Sequence, residues 1–154
     1  MSDPYIVGAW IVGAVNVVVA ALGAGQWALN RPGPPFWPVA RAGQIAAALY
    51  AVLAGAYAAS GHPPQTGLAW VYILTPVAIT FFAEQLRLIA AQTVLERHGY
   101  ASTAQLREAV QAGDDDAERM ATGIANEVLL REVGVLALAA FVIAFLAWRA
   151  VLTG

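Results

Sequence analysis

Four apolar runs, each close to the length of a membrane-crossing helix, alternate along the chain with short polar or proline-rich breaks. A hydrocarbon core of about 30 Å takes about 20 residues of helix. Runs of that order extend from Tyr5 to about Leu29, from about Val39 to Ser60, from about Leu68 to Leu88 and from Val133 to Leu152. Each is rich in glycine or alanine, which membrane helices tolerate. The pattern predicts an all-α integral membrane protein with four transmembrane helices, organised as a single membrane domain over residues 1–154.

The breaks fix the connections. Between the first two runs, Pro32, Pro34, Pro35 and Pro38 remove backbone donors and prevent a helix from running through, so an ordered turn is expected. Between the second and third, Gly61-His62-Pro63-Pro64-Gln65-Thr66-Gly67 is short enough to force a helical hairpin. The third connection, about 92–131, is longer and has a helical pattern of its own. Ser102 with Gln105 matches a capping box, Leu106 and Val110 share a face, and Gly113 supplies a stop. Asp114, Asp115 and Asp116 then place carboxylates where the positive end of a new helix favours them, and Met120, Ile124 and Val128 recur every fourth residue. Nothing breaks the pattern between Arg87 and His98 either. Helices 3 and 4 of the membrane domain are therefore expected to extend past the bilayer as a pair, crossed by the short helix, in a small helical cytoplasmic cap.

Composition strengthens the membrane assignment: 60% of residues are hydrophobic, 12% are charged, and mean hydropathy is +0.64. All eight basic residues are arginine. Their placement sets the expected orientation, because short cytoplasmic loops retain basic residues. Arg31, Arg41, Arg97, Arg107, Arg119 and Arg131, with Arg87 close by, fall on one side, and only Arg149 on the other. Both termini are thus expected outside the cytoplasm, in a bacterial inner (cytoplasmic) membrane. Trp27 and Trp37 would then mark the inner headgroup level, and Tyr5, Tyr57, Trp70, Tyr72 and Trp148 the outer. No arginine precedes the first apolar run, which is unlike a cleavable signal peptide and reads as a retained span.

The absence of cysteine excludes disulfides, thiolate catalysis and cysteine-ligated metal clusters. His62 and His98 fall on opposite membrane faces and cannot share one haem or metal within a subunit. Asp114 to Asp116 with Glu118 lack the spacing of a calcium loop and read as a helix start. No metal, cofactor or nucleic-acid module is expected.

The candidate polar site is a set of charges near one depth: Glu84 and Arg87 toward the inner end of the third run, with Glu127, Arg131 and Glu132 entering the fourth. At 1.5 Å per residue from Leu68, Glu84 lies roughly 24 Å down, just short of the inner boundary. Antiparallel neighbours are expected to pair Glu84 with Arg131, and Arg87 with Glu127 or Glu132. Asn16, Gln44, Thr75 and Thr80 complete the polar inventory at membrane depth, and Pro76 is expected to kink the third span, with the threonine hydroxyls relieving the freed carbonyl. On the second span Gly43, Ala47, Ala51, Gly55 and Ala59 form a ladder of small residues at every fourth position, a helix-packing face of the small-xxx-small kind.

With so little intramembrane polarity, the expected function is a non-enzymatic membrane protein that self-associates or serves as an accessory subunit of a membrane complex. Its partners would be the lipid bilayer and itself or another membrane protein. The alternative is a small oligomeric transporter or channel using the polar site at the cytoplasmic ends of spans 3 and 4. An enzyme acting on lipid at the inner interface, with Glu84 as its acid–base group, ranks third.

Overall fold

The computed structural model describes residues 3–113 and 115–153. The first helix, α1, covers Pro4–Ala28 and starts where local chemistry favours a start: the Asp3 carboxylate accepts from the Tyr5 amide at 2.9 Å, and Pro4 fills the first helical position, where a missing N–H costs nothing. Past its end Asn30 adopts φ 52°, a left-handed turn that asparagine tolerates, and the Arg31 amide closes back on the Gln26 carbonyl at 3.0 Å. The Gln26 side chain then accepts from the Gly33 amide at 2.9 Å, which orders the proline-rich turn.

Helix α2 covers Phe36–Ala59, three residues earlier than the apolar pattern placed its start. Pro38 is the reason for the difference. It sits at the third helical position, where the amide has no intrahelical acceptor, so this proline is compatible with a helix that already began at Phe36. Phe36 is fully buried and anchors the turn to the bundle.

Helix α3 runs Gly67–Arg97 without interruption, with Pro76 inside it. The Thr80 hydroxyl donates to the carbonyl of Pro76 itself at 2.9 Å, not to the Tyr72 carbonyl that lost its donor, so the expected relief by threonine does not occur there. His98 and Gly99 (φ 84°) end α3, and the Tyr100 amide returns to Leu95. Helix α4, Thr103–Gln111, is opened by Ser102 Oγ accepting from the Gln105 amide at 3.2 Å. Gln105 reaches back to the Ala101 amide at 2.6 Å, one residue before the cap. The last helix, α5, covers Asp115–Thr153, so the pattern around Ile124 and the fourth apolar run form one continuous element.

In the bundle α1 packs on α2 and α5, and α3 packs on α2 and α5, while α2 and α5 barely touch across the diagonal. Its interior is built from small residues. Val12, Ala47, Ile143 and Ala147 form one cluster, and Val19, Phe36, Ala40, Ala83, Val133, Leu136 and Ala140 another. A Cβ on Gly23 would stand 2.5 Å from Ala137 Cβ and 2.9 Å from the Phe36 ring, which shows how closely α1 approaches α5. Trp10, Ile11, Leu53, Phe81, Leu138 and Phe145 project outward instead. Small residues inside and large apolar ones outside suit helices packed in an apolar solvent, and four of the helices are long and apolar enough to cross a bilayer.

Beyond the apolar stretches, α3 and α5 continue side by side. Val94 and Leu95 pack on Ile124, with Tyr100, Leu106 and Val128 around them, and α4 rests on α5. This α4 layer has its own small core.

Candidate functional site

Where α2, α3 and α5 meet near the α4 layer, four charges and an amide form a connected set. Glu84 on α3 is its hub. One carboxylate oxygen, Oε1, accepts from Arg41 Nη1 at 2.8 Å and from Gln44 Nε2 at 2.6 Å, both on α2. The other, Oε2, meets Arg87 one turn along α3, with Nε at 3.2 Å and Nη2 at 3.1 Å. Arg87 extends to α5, where Nη1 donates to Glu132 Oε2 at 3.2 Å, and its guanidinium lies 5.7 Å over the Trp37 ring. The side chains of Glu84, Arg87 and Glu132 are 23%, 20% and 13% exposed, so most of their charge is held away from solvent. Two arginines and two glutamates sum to zero, and each charge touches an opposite one, which is the condition for keeping ions in a low-dielectric layer.

The pairing differs from the sequence expectation in one respect. Glu84 does not pair with Arg131. Arg131 and Glu132 are adjacent and therefore point about 100° apart around α5, so only one of them faces α3 at this level. Glu132 takes that place and meets Arg87. Arg131 turns back along its own helix, with Nε 3.6 Å from Glu127 Oε1.

Glu127 lies five residues, roughly 7.5 Å, nearer the α4 layer than Glu132. It does not reach Arg87; it accepts from Arg97 Nη1 at 2.8 Å and meets His98 Nε2 at 3.2 Å. These contacts hold its carboxyl below the usual range: the His98 hydrogen bond contributes most, the Arg97 and Arg131 charges add to it, and partial burial opposes it. The five charged candidates thus separate into two layers, Glu84, Arg87 and Glu132 in one and Glu127 and Arg131 in the other.

Arg41 and Trp37 were outside the candidate set, and Gln44 was counted among the polar residues at membrane depth without being joined to Glu84. Their spacing carried the signal, since positions 37, 41 and 44 are i, i+4 and i+7 and share one face of a helix.

The small-residue ladder of α2 is not one continuous packing face. Gly43 and Ala47 are buried, and a Cβ on Gly43 would meet Asn16 Oδ1 at 3.0 Å and Val19 Cγ2 at 3.1 Å. Ala51 and Gly55 are only half-buried, Ala59 is exposed, and a Cβ on Gly55 would meet nothing within 4 Å. Each step of four residues advances about 40° around a helix, so a strict every-fourth ladder rotates off the buried line. The buried line mixes steps of three and four: Phe36, Ala40, Gly43, Ala47 and Ala54.

Asn16 is buried where α1 meets α2, with Nδ2 donating to the Val12 carbonyl at 2.9 Å and, at 3.5 Å, to that of Gly43. The space it shares with Gln44 and Thr80 amounts to about 10 Å³, at the lower limit for one water. At the other end of the bundle His62 stacks on Tyr57 at 4.8 Å and accepts from the Tyr5 hydroxyl through its carbonyl at 2.7 Å, far from His98. Asp116 pairs with Arg119 at 3.6 Å, and Asp114 lies outside the described residues. An open, apolar groove of about 1120 Å³ runs between α1 and α5, with Trp27 and Arg131 at one end and Trp148 at the other.

No family model matches the chain, and neither the curated proteins nor the solved structures yield a match.

Proposed function

We propose that this chain is a non-enzymatic, membrane-embedded subunit that works by packing, either with copies of itself or as an accessory component of a larger membrane complex. The open outer half of α2 carries the proposal. Gly43 and Ala47 are closed off by α1, but Gly55 has an empty surround where a side chain would stand. A bare glycine on the outside of a membrane helix lets a second backbone approach closely, and van der Waals packing of that kind drives association where hydrophobic burial cannot.

In this reading the α4 layer is a cytoplasmic cap, both termini lie outside, and the membrane is a bacterial inner membrane. The arginines support that orientation: seven stand at the α4 end of the bundle, and Arg149 alone at the other. The Glu84 layer acts as a staple joining α2, α3 and α5.

The alternative reading, a small transporter or channel opening at Glu84 and Arg87, is favoured by the cluster of charges but has little room. Asn16, Gln44 and Thr80 are the polar groups that would line a path inward from that opening, and the space among them is about 10 Å³.

Mass measured in nanodiscs drawn directly from native membranes tests the packing proposal. A defined oligomer or a stoichiometric partner is expected, and Gly55→Leu is expected to abolish it without lowering the thermal midpoint. A lone monomer overturns it. Liposome flux tests the alternative: Glu84→Gln should leave every measured flux unchanged, and a flux that disappears in this variant favours transport.

A further inference from the structure

We infer that the α1–α5 groove is a binding site for an anionic phospholipid, whose phosphate sits at Arg131 and Trp27 and whose acyl chain lies along the groove. The inference rests on the helices spanning a bilayer and is independent of what α2 packs against.

The groove is amphipathic along its length in the way a phospholipid is. It is lined by small side chains, Ala20 and Ala24 on α1 and Ala137 on α5, together with the larger Leu138 and Phe141. Between Arg131 and Trp148 lie seventeen helical steps, roughly 26 Å, which brings both ends close to the boundaries of a 30 Å hydrocarbon core. Arg131 therefore stands at headgroup level. One leaflet is roughly 15 Å deep, the distance from Arg131 to Phe141 along α5. An acyl chain entering at Arg131 thus ends beside Phe141.

The mouth has donors and a surplus of positive charge. The nearest carboxylate to Arg131 is Glu127, at 3.6 Å through Nε, beyond hydrogen-bonding distance. Glu127 already accepts from Arg97 at 2.8 Å and meets His98 at 3.2 Å. One carboxylate against Arg97 and Arg131 leaves a net positive charge, and Arg131's side chain is 41% exposed. Trp27 lines the same groove: a Cβ on Gly134, one turn along α5 from Arg131, would lie 3.7 Å from the Trp27 Nε1. Among the described residues that indole N–H makes no hydrogen bond, and Trp27 is largely exposed. A guanidinium fork with a neighbouring indole N–H matches phosphate oxygens, for which arginine's bidentate geometry is well suited.

A helix from a second copy is a poorer occupant, because this mouth calls for an anion. The carboxylates at the matching depth, Glu84 and Glu132, are already bound by Arg41 and Arg87 within the chain.

The test uses the full chain in nanodiscs containing phosphatidylglycerol and phosphatidylcholine in equal amounts, with the lipid retained after extraction measured by native mass spectrometry. Phosphatidylglycerol retention about tenfold above phosphatidylcholine is expected, the scale of one hydrogen-bonded charge contact. Arg131→Gln should bring the two to parity, Trp27→Phe should lower the preference part-way, and Gly134→Leu, which fills the groove, should reduce retention of both lipids. Arg107→Gln, the same charge change on α4, should alter nothing. The inference fails if Arg131→Gln keeps the preference, or if Arg107→Gln loses as much. Inorganic phosphate in excess should not displace the lipid; displacement assigns the mouth to a small soluble anion and overturns the lipid. A chain that does not float with vesicles of either lipid refutes the bilayer reading itself, whereas flotation without preference refutes only this site.

Discussion

Two charged layers stand one above the other where α3 and α5 leave the apolar bundle, and they handle charge in opposite ways. In the Glu84 layer, two arginines and two glutamates from three helices close on one another, with Gln44 and the Trp37 ring filling the remaining positions. In the Glu127 layer, a single carboxylate faces Arg97, His98 and Arg131. The first is balanced and, apart from the half-exposed Arg41, shielded; the second has excess cation and is more exposed. Direction and exposure explain the difference, since Arg131 shares Glu132's level but turns outward. An unpaired ion held away from solvent carries a desolvation penalty of several kcal/mol, so the shielded set closes on itself, whereas an exposed guanidinium remains solvated and tolerates a surplus. A closed set of ions holds helices together, and an open one is available to a ligand.

By that contrast, removing the hub of the closed layer has the largest effect. Glu84→Ala leaves Arg41, Gln44 and Arg87 without their shared acceptor, and should cost about 2–3 kcal/mol, below the range for fully buried pairs because Glu84 is partly exposed. Thermal unfolding in a fixed detergent measures it, and a midpoint within a degree of the parent would mean that the layer is not a staple. Glu132→Gln should cost less, about 1–2 kcal/mol, since Arg87 keeps Glu84 as its second partner. Combining Glu84→Ala with Arg87→Ala should cost less than the sum of the two single changes, because both remove the same contact.

Much of this arrangement was visible in the residue pattern and some was not, for reasons specific to each element. The four apolar runs, the hairpins and the α4 start follow from length, proline placement and one capping serine, all of them local signals. The start of α2 was misplaced because Pro38 reads as a breaker unless its position within a first turn is known. The Arg87–Glu132 pair was accessible from depth alone, but depth does not fix azimuth. Arg131 and Glu132 share a level and differ by about 100° in direction, and that rotation decided which of them met α3. Rotation also explains the ladder of α2, which turned off the packed face after Ala47. Arg41 and Gln44 reach Glu84 only because α2 lies against α3, a tertiary fact that no local spacing contains, although their common face with Trp37 pointed to a shared neighbour.

The open layer supplies the smallest effect and the one that separates the two layers most directly. Glu127 is held below its ordinary value of 4.5, first by the His98 hydrogen bond and then by Arg97 and Arg131, so the charged carboxylate favours the folded chain. For a carboxyl lowered in this way the stabilisation is fully present above 4.5 and is lost as pH falls through the lower, folded-state value. Glu127→Gln should therefore lower the thermal midpoint slightly at pH above 4.5, with the gap to the parent closing as pH falls below that. The effect stays small because a third of the side chain is exposed and water and salt screen its partners. High salt should shrink the Glu127→Gln gap while leaving the Glu84→Ala cost nearly intact, because screening reaches exposed charges far more than shielded ones. Equal salt sensitivity of the two variants would show that the layers do not differ in shielding, and the distinction between staple and ligand site would fall with it.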